Sequence, residues 1–128
     1  MWHVILNALK VISGIDDKFE LILSIGVIHN AITKKEFINT IKELYRILKN
    51  GGFVVLSVFT NDVITDDLKY VNDGVYDVLN RPSMVLLSKD EINKIIEDIG
   101  FYIEKKVDEH ITDVGIGKRN VYTIRLRK

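Results

Sequence analysis

Two nearly unbroken apolar runs, Phe19 to Val27 (FELILSIGV) and Phe53 to Phe59 (FVVLSVF), constrain this chain most. They lack the alternation of a strand with one wet face. Such runs are the pattern of strands buried on both sides, which requires helices packed around a sheet. The segment between them supplies a helix. Thr33-Lys34-Lys35-Glu36 is a capping box: the threonine hydroxyl can accept from the Glu36 amide while the Glu36 side chain reaches back. Phe37, Ile38, Ile41, Leu44, Tyr45 and Leu48 then recur at helical spacing on one face. Asn50-Gly51-Gly52 is expected to end that helix, because a left-handed cap favours Gly or Asn.

The same grammar returns later. Ser88-Lys89-Asp90-Glu91 is a second capping box, Ile92, Ile95, Ile96 and Ile99 form the stripe, and Gly100 stops the helix. Phe101 to Val107 and Val121 to Leu126 read as strands, with Val114 to Lys118 as the loop between them. No helix separates these two, so an antiparallel pair is expected. Residues 61–87 form an irregular insert, in which Asp66 to Leu79 fits a helix interrupted by Gly74, and Arg81-Pro82-Ser83 acts as a breaker. From Phe19 the order is strand, helix, strand, insert, helix, strand, strand. That is an α/β domain with a mostly parallel sheet.

Length and charge narrow the function. The 128 residues suit one domain with a real core, spanning 1–128. Zero cysteine removes disulfides, thiolate metal sites and a cysteine nucleophile. With 18 basic and 18 acidic side chains, bulk capture of nucleic acid or of an anionic membrane is not expected. No apolar run reaches the ~20 residues of a membrane span, and Met1-Trp2-His3 lacks the basic region of a secretory signal, so a cytoplasmic location is expected. No metal-ligand cluster and no Ser-His-Asp order stands out.

Four stretches, in this order, resemble the C-terminal half of the class I S-adenosylmethionine-dependent methyltransferases. Phe19-Glu20-Leu21-Ile22-Leu23 is similar to the family's fourth strand, with Glu20 in place of Asp. Ser24 to Asn30 is similar to the loop after it, with Asn30 in place of a second histidine. Leu44 to Ser57 is similar to the next helix, Gly-Gly turn and fifth strand, and Ser88 to Phe101 to the helix that ends in Gly-Phe. The resemblance implies a truncated Rossmann-like fold whose strands lie in the family order four, five, seven, six, with an antiparallel C-terminal strand.

It also implies S-adenosylmethionine as cofactor and no metal. The family holds that cofactor with a Gly-rich loop and an acidic residue, where glycines let the backbone approach and the carboxylate binds ribose hydroxyls. Neither element occurs in these 128 residues. The chain is therefore expected to be methyltransferase-like but not catalytic alone, and to act as an interaction or oligomerisation module. The alternative is a methyltransferase active only as an oligomer or with a partner subunit. By resemblance, His29 is the catalytic candidate, assisting deprotonation. Asn7, Ala8, Ser24 and Gly26 are cofactor-side candidates, and Asn30, Tyr70, Tyr76 and Arg81 substrate-side candidates.

Residues 1–18 admit two readings. His3 to Leu9 fits the family's third strand, and Trp2, Ile5, Leu6, Leu9 and Ile12 fit a helix. The strand at Phe19 to Val27 would be left as an edge, apolar on both faces, so a cover is expected, by the N-terminal segment, by a second copy of the chain as a homodimer, or by a partner subunit. Asp62, Asp66, Asp67, Asp73 and Asp77 are expected on a solvated helix face, and Lys118-Arg119 and Arg125 to Lys128 on a solvated basic face.

Overall fold

The computed structural model describes residues 2–4, 19–25, 31 and 33–128. Its centre is built from the two apolar runs. Strand β2 (Phe19–Ile25) leads to helix α1 (Lys34–Ile47), which returns to strand β3 (Leu48–Thr60) lying parallel to β2. The capping box forms, with Thr33 Oγ1 accepting from the Glu36 amide at 3.1 Å. The helix buries Phe37, Thr40, Ile41, Leu44 and Ile47, the stripe that its spacing dictates.

The helix does not run to the glycines. Leu48 is already extended, at φ −80° and ψ 135°, and is fully buried opposite Phe19. Burial of this side chain in the first sheet position outweighs one more helical turn. Gly51, at φ +80°, instead serves an irregularity within β3. Phe19 faces Leu48 and Leu21 faces Phe53, so β3 advances five residues while β2 advances two.

Strand β1 (Trp2–Val4) pairs in parallel with β2, setting Trp2 against Leu21 and Val4 against Leu23. This excludes the helix reading for Trp2–Val4. A strand there needs a neighbour for its backbone groups, and the open edge of β2 supplies one. Residues 5–18 lie outside the described residues.

The insert is the main correction. Asp66 to Leu79 is not a helix: residues 68–85 form an antiparallel sheet of β4 (Leu68–Asn72), β5 (Val75–Val78) and β6 (Arg81–Val85). Asp73-Gly74 is its first turn, with φ 45° and 79°, both positive as a two-residue hairpin turn requires. The glycine that interrupted the helical pattern is thus the turn itself. Pro82 sits in β6 at the edge of this sheet, where a missing N–H costs no ladder bond.

Helix α2 (Lys89–Ile99) follows, capped by Ser88 Oγ on the Glu91 amide at 3.1 Å and ended by Gly100 at φ +124°. Strands β7 (Tyr102–Asp113) and β8 (Lys118–Arg127) form the expected antiparallel hairpin, longer than the sequence reading gave. The large sheet has the order β1-β2-β3-β8-β7. Its β2-β3-β8-β7 part is the expected four-five-seven-six arrangement. β8 alone runs against the others.

Both helices pack on one face of this sheet. Ile22, Val54, Leu56, Val58, Ile124 and Leu126 meet the stripes of α1 and α2 in one buried cluster. Lys34 pairs with Glu91 at 2.9 Å across the helices, and Tyr45 meets Phe101 edge to face at 5.0 Å. The alternate residues Leu21, Leu23, Phe53 and Val55 face the other way and are half-buried. Among the described residues no helix lies there. Arg125, 3.8 Å from the Phe53 ring centre, covers part of that face and is held by Glu104 at 2.9 Å. Among the described residues no helix is long and apolar enough to cross a membrane.

Candidate functional site

Open α/β sheets bind ligands beyond the carboxyl ends of their parallel strands. Here that region lies past Ile25 of β2 and Thr60 of β3. The insert forms a wall beside it: Leu68, Tyr76, Val78 and Leu86 make a second buried cluster, against which Phe59 of β3 and Ile116 of the β7–β8 turn pack. The Asn61 amide donates to Leu87 O at 3.0 Å and fixes where the chain re-enters.

A polar network closes the end of β3. Thr60 Oγ1 accepts from Asn120 Nδ2 at 2.9 Å and from the Asp62 amide at 3.2 Å. Asn120 Nδ2 also donates to Glu109 Oε2 at 3.0 Å, and Lys89 Nζ lies 2.8 Å from that oxygen. The hydrogen bond from Lys89, reinforced by Asn120, pushes the Glu109 carboxyl down to about 2 from the ordinary 4.5. Asp62 Oδ2 accepts from the Lys89 amide at 3.0 Å, an anion at the N-terminus of α2. These groups neutralise one another and brace the helix start.

Ser24 is fully buried on β2, beside Leu56 of β3, on the same face as Ile22. Among the described residues its hydroxyl has no hydrogen-bond partner. Asn7, Ala8, Gly26, His29 and Asn30 lie outside the described residues. The structure brings Tyr70 and Tyr76 together, edge to face at 5.4 Å, with Tyr76 in the insert's core and Tyr70 59% exposed. Arg81 is separate from them. It is exposed and lines a shallow groove of about 480 Å³ with Asp66, Lys69 and Asp77.

One buried feature escaped the sequence reading. Asp67 and Arg119 are not on solvated faces: both side chains are 1% exposed and Arg119 Nη2 lies 2.6 Å from Asp67 Oδ2. Thr65 Oγ1 donates to Asp67 Oδ1 at 2.6 Å and accepts from the Lys118 amide at 3.1 Å. The Arg119 hydrogen bond, with help from Thr65, holds the Asp67 carboxyl below its usual value against the opposing effect of burial. Gly117 is required alongside, since a Cβ there would lie 2.0 Å from Asp67 Oδ1. The pair locks the insert to the β7–β8 hairpin. The other insert acids, Asp62, Asp66, Asp73 and Asp77, are exposed as expected, but on loops and strands. Among the described residues no three His, Cys, Asp or Glu side chains gather as a metal site.

No protein-family profile matches the sequence, and no curated protein matches it. Solved structures do. The chain is similar to a SAM-dependent methyltransferase from Methanosarcina mazei, at 19% identity and a TM-score of 0.74, over 95% of this chain and 64% of the other. It is similar to the 1,6-didemethyltoxoflavin-N1-methyltransferase of Burkholderia thailandensis, solved with 1,6-didemethyltoxoflavin and S-adenosylhomocysteine bound. That likeness has 14% identity and a TM-score of 0.59, over 94% and 48%. An S-adenosylmethionine-dependent methyltransferase from Mesorhizobium loti gives 14% and 0.64, over 94% and 66%. The chain thus spans about half to two thirds of these proteins' length. Strand order, helix placement and these likenesses together give the chain the fold of the class I S-adenosylmethionine-dependent methyltransferases.

Proposed function

We propose that the chain is a methyltransferase-fold interaction module, which self-associates or joins a partner and does not hold S-adenosylmethionine alone. One observation carries this reading: α1 and α2 lie on one face of the sheet, and Leu21, Leu23, Phe53 and Val55 face away from them. A mainly parallel sheet is stable with layers on both faces, so a second polypeptide layer suits the face on which no helix lies among the described residues. The described residues also do not fit the cofactor. Its ribose hydroxyls need an open carboxylate at a strand end. Asp62 caps α2, Glu109 is held by Lys89 and Asn120, and the Ser24 hydroxyl is sealed in the core.

Calorimetry of the purified 128-residue chain with S-adenosylhomocysteine tests this, together with sedimentation equilibrium near 10 µM. The expected result is no saturable heat and an associated species. Saturable micromolar binding by a monomer overturns the proposal.

A second reading has one observation in its favour. The Tyr70–Tyr76 pair stands on the insert, beside the carboxyl end of β3. In that reading a partner supplies the cofactor loop, His29 assists deprotonation of a methyl acceptor, and Asn30, Tyr70, Tyr76 and Arg81 contact it. Methyl transfer that appears only on mixing with a second protein supports it.

A further inference from the structure

The sheet face turned away from the helices changes character across its width. On β2 and β3 it carries Leu21, Leu23, Phe53 and Val55. On the outer strands Arg127 lies opposite Phe53, Arg125 opposite Val55, and Lys105 opposite Arg125. The irregularity between Ile103 and Lys105 brings Glu104 to the same face as its neighbour Lys105, where a regular strand would part them.

Three cations therefore share one carboxylate. Arg127 Nε donates to Glu104 Oε1, and Arg127 Nη1 donates to Gly51 O at 2.7 Å. Arg125 Nε lies 2.9 Å from Glu104 Oε2 but out of hydrogen-bond alignment. The Arg127 hydrogen bond, with the nearby charges of Arg125 and Lys105, holds the Glu104 carboxyl below its usual value. Among the described residues, Arg127 Nη2, both Arg125 Nη groups and Lys105 Nζ donate to no acceptor.

A cavity adjoins these donors. Residues 49–52 bow out of the sheet, where β3 advances five residues and β2 only two. Nothing lies within 4 Å of where a Cβ of Gly51 would stand. This bow, Phe53 and Arg127 line a cavity of about 360 Å³.

We infer that this corner binds a phosphate group, free or as a small monoester, on the guanidinium groups of Arg125 and Arg127. Glu104 leaves two of the three positive charges uncancelled, and a phosphate monoester carries about −1.5 to −2 at pH 7. Guanidinium N–H pairs match phosphate oxygens. The Phe53 ring holds both groups in place, 3.8 Å from Arg125 and 5.0 Å from Arg127. The site lies at the amino end of β3, away from the crevice past Thr60, and stands independently of self-association.

Calorimetry of the 128-residue chain with inorganic phosphate, in low salt near pH 7.5, is expected to show saturable binding. Arg125→Gln is expected to weaken it by roughly tenfold. Glu104→Gln is expected to tighten it several-fold, because it removes the competing carboxylate; a cluster that merely braces the sheet would not bind more tightly. Lys94→Gln removes an equal charge from the exposed side of α2 and is expected to change nothing. Circular dichroism verifies the fold of each variant. Glycerol 3-phosphate binding more tightly than inorganic phosphate supports the site with an ester as its ligand, and the reverse order supports it with the free ion. Absence of saturable heat up to about 10 mM phosphate overturns the site. So does weaker binding in Glu104→Gln, or equal weakening by Arg125→Gln and Lys94→Gln.

Discussion

Arg119 and Asp67 meet inside the protein, 52 positions apart in sequence, with Arg119 Nη2 donating to Asp67 Oδ2 at 2.6 Å. Neither side chain reaches water, so removing one strands the charge of the other. Arg119→Ala is expected to cost about 3–5 kcal/mol in urea unfolding. The double variant Asp67→Asn/Arg119→Met is expected to lose clearly less than the sum of its singles. A loss below about 1 kcal/mol for Arg119→Ala would show that water solvates the pair.

Gly117 is held to hydrogen by the same pair. Its added Cβ would lie 2.0 Å from Asp67 Oδ1 and 2.4 Å from Thr65 Oγ1. The carboxylate cannot swing away without leaving Arg119. Gly117→Ala is expected to cost about 1–3 kcal/mol, and less in an Asp67→Ala background. Equal cost in both backgrounds would place the strain elsewhere.

Stability should also follow the Glu109 carboxyl. Its value in the folded protein is about 2, against an ordinary 4.5. The unfolded chain therefore binds the proton more tightly, and stability rises with pH across that window. The contribution is whole above about pH 4.5 and disappears as pH falls towards 2. Thermal unfolding between pH 6 and 2 measures it, and Glu109→Gln is expected to flatten the slope. An unchanged slope would assign it to other carboxylates.

The lone hydroxyl of Ser24 offers a simpler measurement. It is buried without a partner among the described residues, so Ser24→Ala removes an unsatisfied group at nearly constant volume. The substitution is expected to leave stability unchanged or raise it by up to about 1 kcal/mol in urea unfolding. A loss of that size instead would reveal a partner for the hydroxyl.

What could be read from the sequence was what neighbours in sequence decide. Thr33 with Glu36, and Ser88 with Glu91, form caps within one turn, and both are in place. The stripes of α1 and α2 and the two apolar runs fixed the layers in the same local way. Asp66 to Leu79 misled because Leu68, Val71, Val75, Tyr76 and Leu79 fall at helical spacing, whereas the hairpin buries Leu68, Tyr76 and Val78 and leaves Val71 and Leu79 exposed. Tyr76 and Val78, two apart, share a face of a strand but not of a helix, and Asp73-Gly74 supplies the turn. Leu48 belonged to the helical stripe by spacing but to the sheet by its burial and its pairing opposite Phe19. Asp67 with Arg119 could not be read at all, since each is an ordinary surface residue until the topology brings the insert to the hairpin. Of the candidate site, Tyr70 and Tyr76 were found together, while Arg81 stands apart from them.

β8 comes last among the described strands yet lies between β3 and β7 in the sheet. During synthesis the earlier elements emerge with a gap where β8 will go. β7 has no strand to pair with inside its own chain until Lys118–Arg127 arrives. The apolar inner edge of β3 stays open for the same interval. Closure of the sheet is thus timed by its final hairpin, and a ribosome-bound chain lacking β8 presents two unpaired edges to chaperones and to neighbouring nascent chains.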